Sequence, residues 1–198
     1  MKFLELLMLF LVGWSILGVV GIAVSLLRGE RAKGLRHLVW IAGVWAVYLA
    51  VLAGVSLRQK QRVLMIGQAQ CFDEMCFTVT RVEEVPGFLI HDGSRLVRVS
   101  VRVSNRGSKQ TQGEARIHAY LVDSQARRWE QSAGVSGVLL TTKVAPGSFI
   151  VSEPVFKVAR DATGLGLVLT HGRWQPGVLV IGASDSLWHQ RTVVALGR

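Results

Sequence analysis

The two cysteines are the residues whose spacing best suits chemistry. Cys71 and Cys76 are the only cysteines of the chain, and they are separated by Phe-Asp-Glu-Met. Zn²⁺ normally takes four protein ligands, and no second Cys or His pair with metal-ligand spacing accompanies them, so a metal site is the least favoured interpretation. A disulfide across a small loop is favoured over two free thiols, and it implies an oxidising compartment.

The other polar residues form no convincing catalytic set. The five histidines are dispersed, without i,i+4 or His-x-His spacing. Ser184, Asp185 and His189 are the residue types that a hydrolase uses, but no Gly-x-Ser-x-Gly elbow accompanies them, and loop residues are the favoured interpretation. We therefore predict a non-enzymatic protein with no catalytic residue, no metal site and no cofactor.

Trp174 is the residue of the C-terminal half best suited to recognition, and Arg173 precedes it. An exposed Trp beside an Arg is a typical hot spot of protein interfaces. The alternative, which is favoured, is that Trp174 packs over one end of its domain.

Two long apolar runs precede residue 58. The run from Leu38 to Leu57 has twenty residues and no charge, the length that an α-helix needs to cross a bilayer. The run from Phe3 to Leu27 contains one charged residue, Glu5, and no clear cleavage site precedes Arg28. We predict a two-helix transmembrane hairpin in residues 1–62, with helices at about 3–27 and 38–57.

Charge is concentrated around these runs. Of the formal net charge of +10, residues 1–62 contribute eight basic and two acidic side chains. Lys and Arg at helix ends interact with anionic headgroups, so this distribution argues against nucleic-acid binding. Four basic residues lie in the connection between the helices and four on the other side, so the positive-inside rule does not decide the orientation.

Small residues recur every four positions in the second helix, at Ala42, Ala46, Ala50 and Gly54. Such a face lets another helix approach closely. The favoured partner is the first helix of the same chain, and the alternative is a homo-oligomer formed through the membrane helices.

Beyond residue 62 the pattern changes to period two. In Arg95–Ser104 the valines at 97, 99, 101 and 103 alternate with polar residues, which is typical of a strand with one buried face. Further short segments follow, among them Ser136–Thr142, Phe149–Val158 and Val178–Ile181, with turn residues between them. About eight short strands predict an all-β sandwich in residues 63–198.

Several short motifs of this region are similar to those of a family of bacterial extracytoplasmic, membrane-anchored immunoglobulin-like domains of unknown function. They are Val101-Arg-Val-Ser-Asn-Arg-Gly107, Ala145-Pro-Gly147 followed by Val155-Phe-Lys-Val158, and Leu121-Val-Asp123. The chain departs from the family's pattern at Ala126, where Gly is expected, and at Ala159, where Pro is frequent. The resemblance implies an immunoglobulin-like sandwich outside the cytoplasm and provides no catalytic residues.

The sequence thus predicts a multi-pass cell-membrane protein whose C-terminal domain is extracytoplasmic. Its expected partners are the lipid bilayer and either an envelope protein, bound near Trp174, or an anionic lipid or glycan. The latter would bind a basic face formed by Arg98, Arg102 and Arg116. The alternative is a membrane-complex or transport subunit whose hairpin contacts other helices and whose β domain is a regulatory cap.

Overall fold

The structure, a computed structural model, describes residues 3–85, 93–132, 137–171, 176–181, 186 and 190–197. The chain forms two compact units: Met1–Lys60 with Arg173–Gln190, and Gln61–Gly172 with Arg191–Arg198. The division at residue 60 lies close to the predicted boundary at 62. The segment 173–190 falls within the predicted sandwich domain, 63–198, but this division groups it with the helices.

The first unit is built on helices α1 (Phe3–Leu27) and α2 (Arg31–Arg58). The turn between them is shorter than predicted because α2 begins at Arg31 rather than near Leu38. Residues 31–37 include the good helix formers Arg, Ala, Lys and Leu, which extend the helix into the basic connection. Gly29, with φ of 77°, adopts the left-handed conformation that commonly ends a helix.

The two helices contact each other through large side chains. Trp45 donates its Nε1–H to the hydroxyl of Ser15 at 2.9 Å, and Ser15 donates to the carbonyl of Leu11 at 2.8 Å. A Cβ at Gly18 would lie 2.6 Å from Cδ1 of Ile41, so glycine permits this close approach. The contact face of α2 therefore includes Ile41 and Trp45.

The same unit contains a segment that returns late in the chain to α2. The Tyr48 hydroxyl donates to the carbonyl of Leu179, which ends the short 3₁₀ helix Pro176–Leu179. The hydroxyls of Ser56 and Ser186 are 3.2 Å apart and both residues are buried. Two polar groups of an otherwise apolar helix thereby obtain hydrogen-bond partners. The predicted strand at Val178–Ile181 is not present.

The second unit is a β-sandwich of two five-stranded sheets. One sheet has the order β1-β10-β9-β5-β6, and the other has the order β2-β3-β4-β7, with β8 also paired to β4. The strands are β1 (Val63–Leu64), β2 (Ala69–Phe72), β3 (Met75–Glu84), β4 (Ser94–Asn105), β5 (His118–Val122), β6 (Arg128–Glu130), β7 (Phe149–Ser152), β8 (Val155–Ala159), β9 (Gly166–Thr170) and β10 (Val193–Ala195).

The core lies between the inner faces of these sheets. The four alternating valines of β4 are at most 3% exposed and join Phe77, Phe156 and Leu121 in one cluster. Strand β4 is central, because β3 pairs with one edge and β7 and β8 share the other. The predicted long strand Phe149–Val158 is divided before Pro154, whose nitrogen carries no hydrogen for the ladder. Residues 137–142 form bends and turns instead of the strand predicted there.

Candidate functional site

A cleft of about 390 Å³ opens at the end of the sandwich where β3 finishes and β4 begins. The turn between β8 and β9 and the residues after β10 complete its walls. Its apolar lining residues are Val82, Val97, Ala162, Leu165 and Leu196, and its polar ones include Glu83, Glu84, Arg95, Arg160 and Thr163. Polar groups around an apolar floor are the usual composition of a small-molecule site.

An ion pair occupies the core-facing side of the two strands at this end. Glu84 pairs with Val97 across the ladder, and cross-strand partners project to the same face. Arg95 lies two residues before Val97, so it also belongs to the valine face of β4. Arg95 Nη1 lies 3.0 Å from Glu84 Oε1, and Arg95 Nη2 donates to the carbonyl of Ala162 at 2.8 Å. The Glu84 side chain is 59% exposed and the Arg95 side chain 31% exposed, so this pair lies where the inner face opens to solvent.

The described lining of the cleft has two acidic and two basic side chains. Glu84 pairs with Arg95, and Glu83 forms an ion pair with Arg81. The exposed side chain of Arg160 makes no ion pair within the described ranges. Arg95 Nε is buried without a hydrogen-bond partner in the described part of the chain. The described lining is therefore neutral in formal charge, and the exposed guanidinium of Arg160 lies beside an apolar surface.

The turn that forms one wall of the cleft is held by the neighbouring β5–β6 hairpin. Arg127 Nη1 lies 2.9 Å from Asp161 Oδ2, and the hydroxyls of Ser124 and Thr163 are 3.1 Å apart. The Ser124 N–H also donates to the carbonyl of Thr163 at 3.0 Å. These contacts fix the wall independently of any ligand.

The same hairpin contains the clearest electrostatic perturbation of the sandwich. Burial by itself raises the pKa of the Asp123 carboxyl, but several hydrogen bonds outweigh this effect and hold the pKa below its ordinary value. The donors are the Arg127 side chain at 2.8 Å and the backbone N–H groups of Arg127 and Gln125, each at 2.9 Å. The hydrogen bonds that Arg127 donates to the carboxylates of Asp161 and Asp123 raise the pKa of Arg127. Asp123 thus remains ionised and anchors the arginine that contacts the cleft wall.

The structure joins Cys71 and Cys76 in a disulfide, the alternative that the spacing favoured. They are directly opposite each other on β2 and β3, on either side of a turn at Asp73 and Glu74. The neighbouring Phe72 ring lies edge-on to His171, with the ring centroids 4.3 Å apart. In the described part of the chain, no group of three or more His, Cys, Asp or Glu side chains could hold a metal ion.

The positions of the four small residues of α2 do not fit the favoured interpretation, which is that they contact the first helix. Ala42, Ala46, Ala50 and Gly54 are all exposed, and nothing lies within 4 Å of a Cβ built on Gly54. At about 100° per residue, Ala46, Ala50 and Gly54 lie on the side of α2 opposite to Ile41, which contacts α1, and Ala42 lies on its flank. Contact with the first helix therefore does not explain them.

The remaining predicted residues are dispersed or lie outside the described residues. Trp174, Arg173, Ser184, Asp185 and His189 belong to the latter group. Arg98 and Arg102 are on β4, and Arg102 stacks over the exposed Phe149 ring at 4.8 Å. Arg116 precedes β5 in the other sheet, so the three arginines do not share one sheet face.

Sequence reasoning missed the cleft although one signal was available. Arg95 has the same parity as the four buried valines of β4, whereas the arginines at 98 and 102 have the opposite parity. A charged residue in the apolar register of a strand can be identified without a structure. The contacts of Arg95 with Glu84 and Ala162 cannot be identified from the sequence.

Comparisons with known proteins identify no family for this chain. No protein-family model matches it, and no curated protein matches it. Several solved structures align with part of this chain at low sequence identity.

An uncharacterised β-sandwich protein from Clostridium difficile aligns over 71% of this chain and 97% of its own, at 10% identity and a TM-score of 0.46. A conserved hypothetical protein from Bacillus anthracis covers 54% of this chain and 89% of its own, at 15% identity and a TM-score of 0.43. A secreted protein from Mycobacterium tuberculosis covers 57% and 92%, at 6% identity and a TM-score of 0.42.

Proposed function

We propose that this chain is a multi-pass membrane protein that displays an immunoglobulin-like sandwich outside the cytoplasm as a non-enzymatic binding domain. The observation that carries the proposal is the outward apolar surface of α1 and α2. Both helices are long and apolar enough to cross a membrane, and only 6% and 11% of their most apolar windows are buried.

The exposed side chains of these helices match a lipid environment. Phe10 and Leu17 on α1 are each 73% exposed, and Val47 on α2 is 66% exposed. A surface helix of a water-soluble protein is polar on its outer face, whereas residues 6–27 of α1 and 38–57 of α2 carry no charged side chain on any face. Their 25 and 28 residues span about 38 and 42 Å, which exceeds the roughly 30 Å hydrocarbon core of a bilayer.

The side of the membrane is inferred from the disulfide. Bonded cysteines persist in oxidising compartments and are rare in the cytosol. A hairpin of two membrane-spanning helices returns the chain to the side from which it started. The disulfide therefore supports an extracytoplasmic location for both the sandwich and the N-terminus.

The cleft supports a binding role. Its two glutamates are engaged with arginines. The cleft provides a charged rim and an apolar floor, which are sufficient for recognition. We propose that its ligand is an envelope molecule, bound without covalent change.

Fusion of reporters after Arg198 tests this proposal. Alkaline phosphatase is active only outside the cytoplasm and green fluorescent protein, exported through the general secretory route, only inside it. We expect high phosphatase activity, no fluorescence, and retention of the chain in the membrane fraction after alkaline carbonate extraction. A fluorescent fusion without phosphatase activity would contradict the extracytoplasmic location, and release by carbonate would contradict the membrane anchor.

A second candidate function is favoured by the exposed small-residue face of α2. Four small residues on the side away from α1 leave a smooth surface on which another membrane helix can pack closely. The chain would then be a subunit of a membrane or transport complex, with the sandwich as a regulatory cap.

A further inference from the structure

We propose that residues 176–181, in the connection between β9 and β10, enter the bilayer beside α2 as a re-entrant segment that contacts lipid acyl chains and is held at depth by Tyr48. This inference rests on the membrane anchor proposed above and adds a third lipid-contacting element to it. Three observations carry it: the position of the contacts along α2, the pairing of polar groups there, and the apolar composition of the segment.

The contacts with α2 lie at membrane depth. The charge-free part of α2 is residues 38–57, so Tyr48 lies about 15 Å along the helix from one end of this stretch and about 14 Å from the other. The Tyr48 hydroxyl donates to the carbonyl of Leu179. Ser56, whose hydroxyl pairs with that of Ser186, lies about 12 Å further along the helix. The segment therefore reaches the middle of the stretch that we assign to the hydrocarbon core.

These contacts belong to one buried face of α2. Tyr48, Leu52 and Ser56 follow each other at intervals of four residues, which places them on the same side of the helix. They are 8%, 0% and 1% exposed. Because the first and last members of this row both pair with the β9–β10 connection, the contact is not limited to one point of the helix.

The polar groups at this depth satisfy each other. A hydroxyl in the middle of a membrane span has no water to bond, and the same is true of a carbonyl at the end of a 3₁₀ helix. The hydrogen bond from Tyr48 to Leu179 provides a partner for both groups. Non-helical backbone at membrane depth is tolerated where protein covers it, and the side chains of residues 178–181 are half-buried.

The composition of the segment matches lipid. Residues 176–181 are Pro-Gly-Val-Leu-Val-Ile, without a polar side chain. The four aliphatic side chains at 178–181 are all partly exposed. Four successive partly exposed aliphatic side chains are unfavourable in water, but contact with acyl chains removes this cost. Val47, the neighbour of Tyr48 in the chain, is 66% exposed, so aliphatic surface is also present on α2 at this depth.

Spin-label depth measurements on the full chain in phosphatidylcholine nanodiscs test the inference. Three matched variants carry the label: Val180→Cys in the segment, Val47→Cys as the lipid reference on α2, and Val151→Cys, 42% exposed on β7, as the water reference. Because Cys71 and Cys76 are bonded to each other, a maleimide spin label reacts only with the introduced thiol.

The ratio of the collision rate with oxygen, which concentrates in lipid, to that with a water-soluble nickel chelate reports the depth of the label. We expect the ratio at Val180 to lie within about twofold of that at Val47 and to exceed that at Val151 by about tenfold or more, because the hydrocarbon core excludes the chelate.

Tyr48→Phe tests what holds the segment, because it removes only the hydroxyl. In the Val180→Cys background it should lower the ratio by about threefold or more, since the Leu179 carbonyl loses its partner at depth. Trp40→Phe, at a 68% exposed aromatic of the same helix, is the control and should leave the ratio unchanged. Equal ratios in the two variants would contradict the role of Tyr48.

A ratio at Val180 as low as that at Val151, with a high ratio at Val47, would overturn the inference and leave the membrane anchor intact. Low ratios at both Val180 and Val47 would contradict the anchor as well. Should Val180→Cys fail to fold, Ile181→Cys labels the next residue of the same segment and gives the same comparison. Nanodiscs expose both sides of the bilayer, so these outcomes do not depend on the orientation that the reporter fusions measure.

Discussion

Asn105 illustrates how one buried side chain organises the end of a strand. Its Nδ2 donates to the carbonyls of Gln110 and Val144, both at 2.9 Å, and its Oδ1 accepts the N–H of Gly107 at 2.9 Å. A Cβ at Gly107 would meet the ends of the Glu74 and Asn105 side chains, so a larger residue there would displace them. The hydrogen bonds of Asn105 provide a physical reason for an Asn at the end of this strand.

Replacing Asn105 with Ala should destabilise the sandwich by about 2–3 kcal/mol, because three hydrogen bonds are lost in a site that is 1% exposed. The measurement is pulse proteolysis of the full chain in urea. Gln110→Ala is the matched control, since that side chain is exposed, and its effect should stay within about 0.5 kcal/mol. Equal effects of the two variants would contradict the role assigned to the amide.

The Asp123 carboxylate should make the free energy of unfolding of the sandwich depend on pH in the acid range. Because its pKa in the folded chain lies below the unfolded value near 3.9, its stabilisation is complete above that value. The stabilisation is lost as pH falls from about 4 through the lower folded pKa. Thermal unfolding, followed by tryptophan fluorescence, should show that the unfolding temperature of the wild type falls toward that of Asp123→Asn in this pH range. An advantage that stays constant between pH 6 and pH 2.5 would refute this linkage.

Among the elements, the β5–β6 hairpin combines a strong anchor with a strained turn. Asp123 accepts two backbone N–H groups of the turn, while Ala126 has φ of 60°, in the left-handed region that favours glycine. Ala126 is also the position at which the family pattern expects Gly. This turn therefore contains a non-glycine residue at a position whose backbone conformation favours glycine.

Ala126→Gly should stabilise the sandwich by about 0.5–1 kcal/mol, because relief of left-handed strain exceeds the extra backbone entropy of glycine in the unfolded chain. Pulse proteolysis in urea again provides the measurement. Ala115→Gly is the control, because Ala115 is exposed and does not have positive φ. That control should be neutral or destabilising, and the same stabilisation at both positions would argue against strain at Ala126.

At the scale of the whole molecule, the exposed face of α2 separates the two candidate functions. If the hairpin is only a membrane anchor, this face contacts lipid and needs only apolar side chains. Leucine meets this requirement as well as alanine does. A subunit that assembles through this face needs small residues, because larger ones hold the partner helix away.

Ala46→Leu combined with Ala50→Leu therefore tests assembly. If the chain is a complex subunit, we expect the cross-linked or native-gel species to disappear while the sandwich remains protease-resistant. Ala23→Leu, an exposed alanine on α1, is the control and should leave the species intact. An unchanged species in the double variant would exclude assembly through this face and favour the simple anchor.

The sequence alone was sufficient to predict two apolar helices, a sandwich after them and the buried valines of β4. These features depend on local periodicity, which reflects the solvent that each face of a segment meets. Only the tertiary structure placed Arg95 beside Glu84 and Ala162, the latter 67 residues away along the chain. It also brought Leu179 and Ser186 to α2 and exposed the small-residue face. These contacts depend on strand register and helix rotation, which are set by packing between distant segments and leave no periodic trace in either segment.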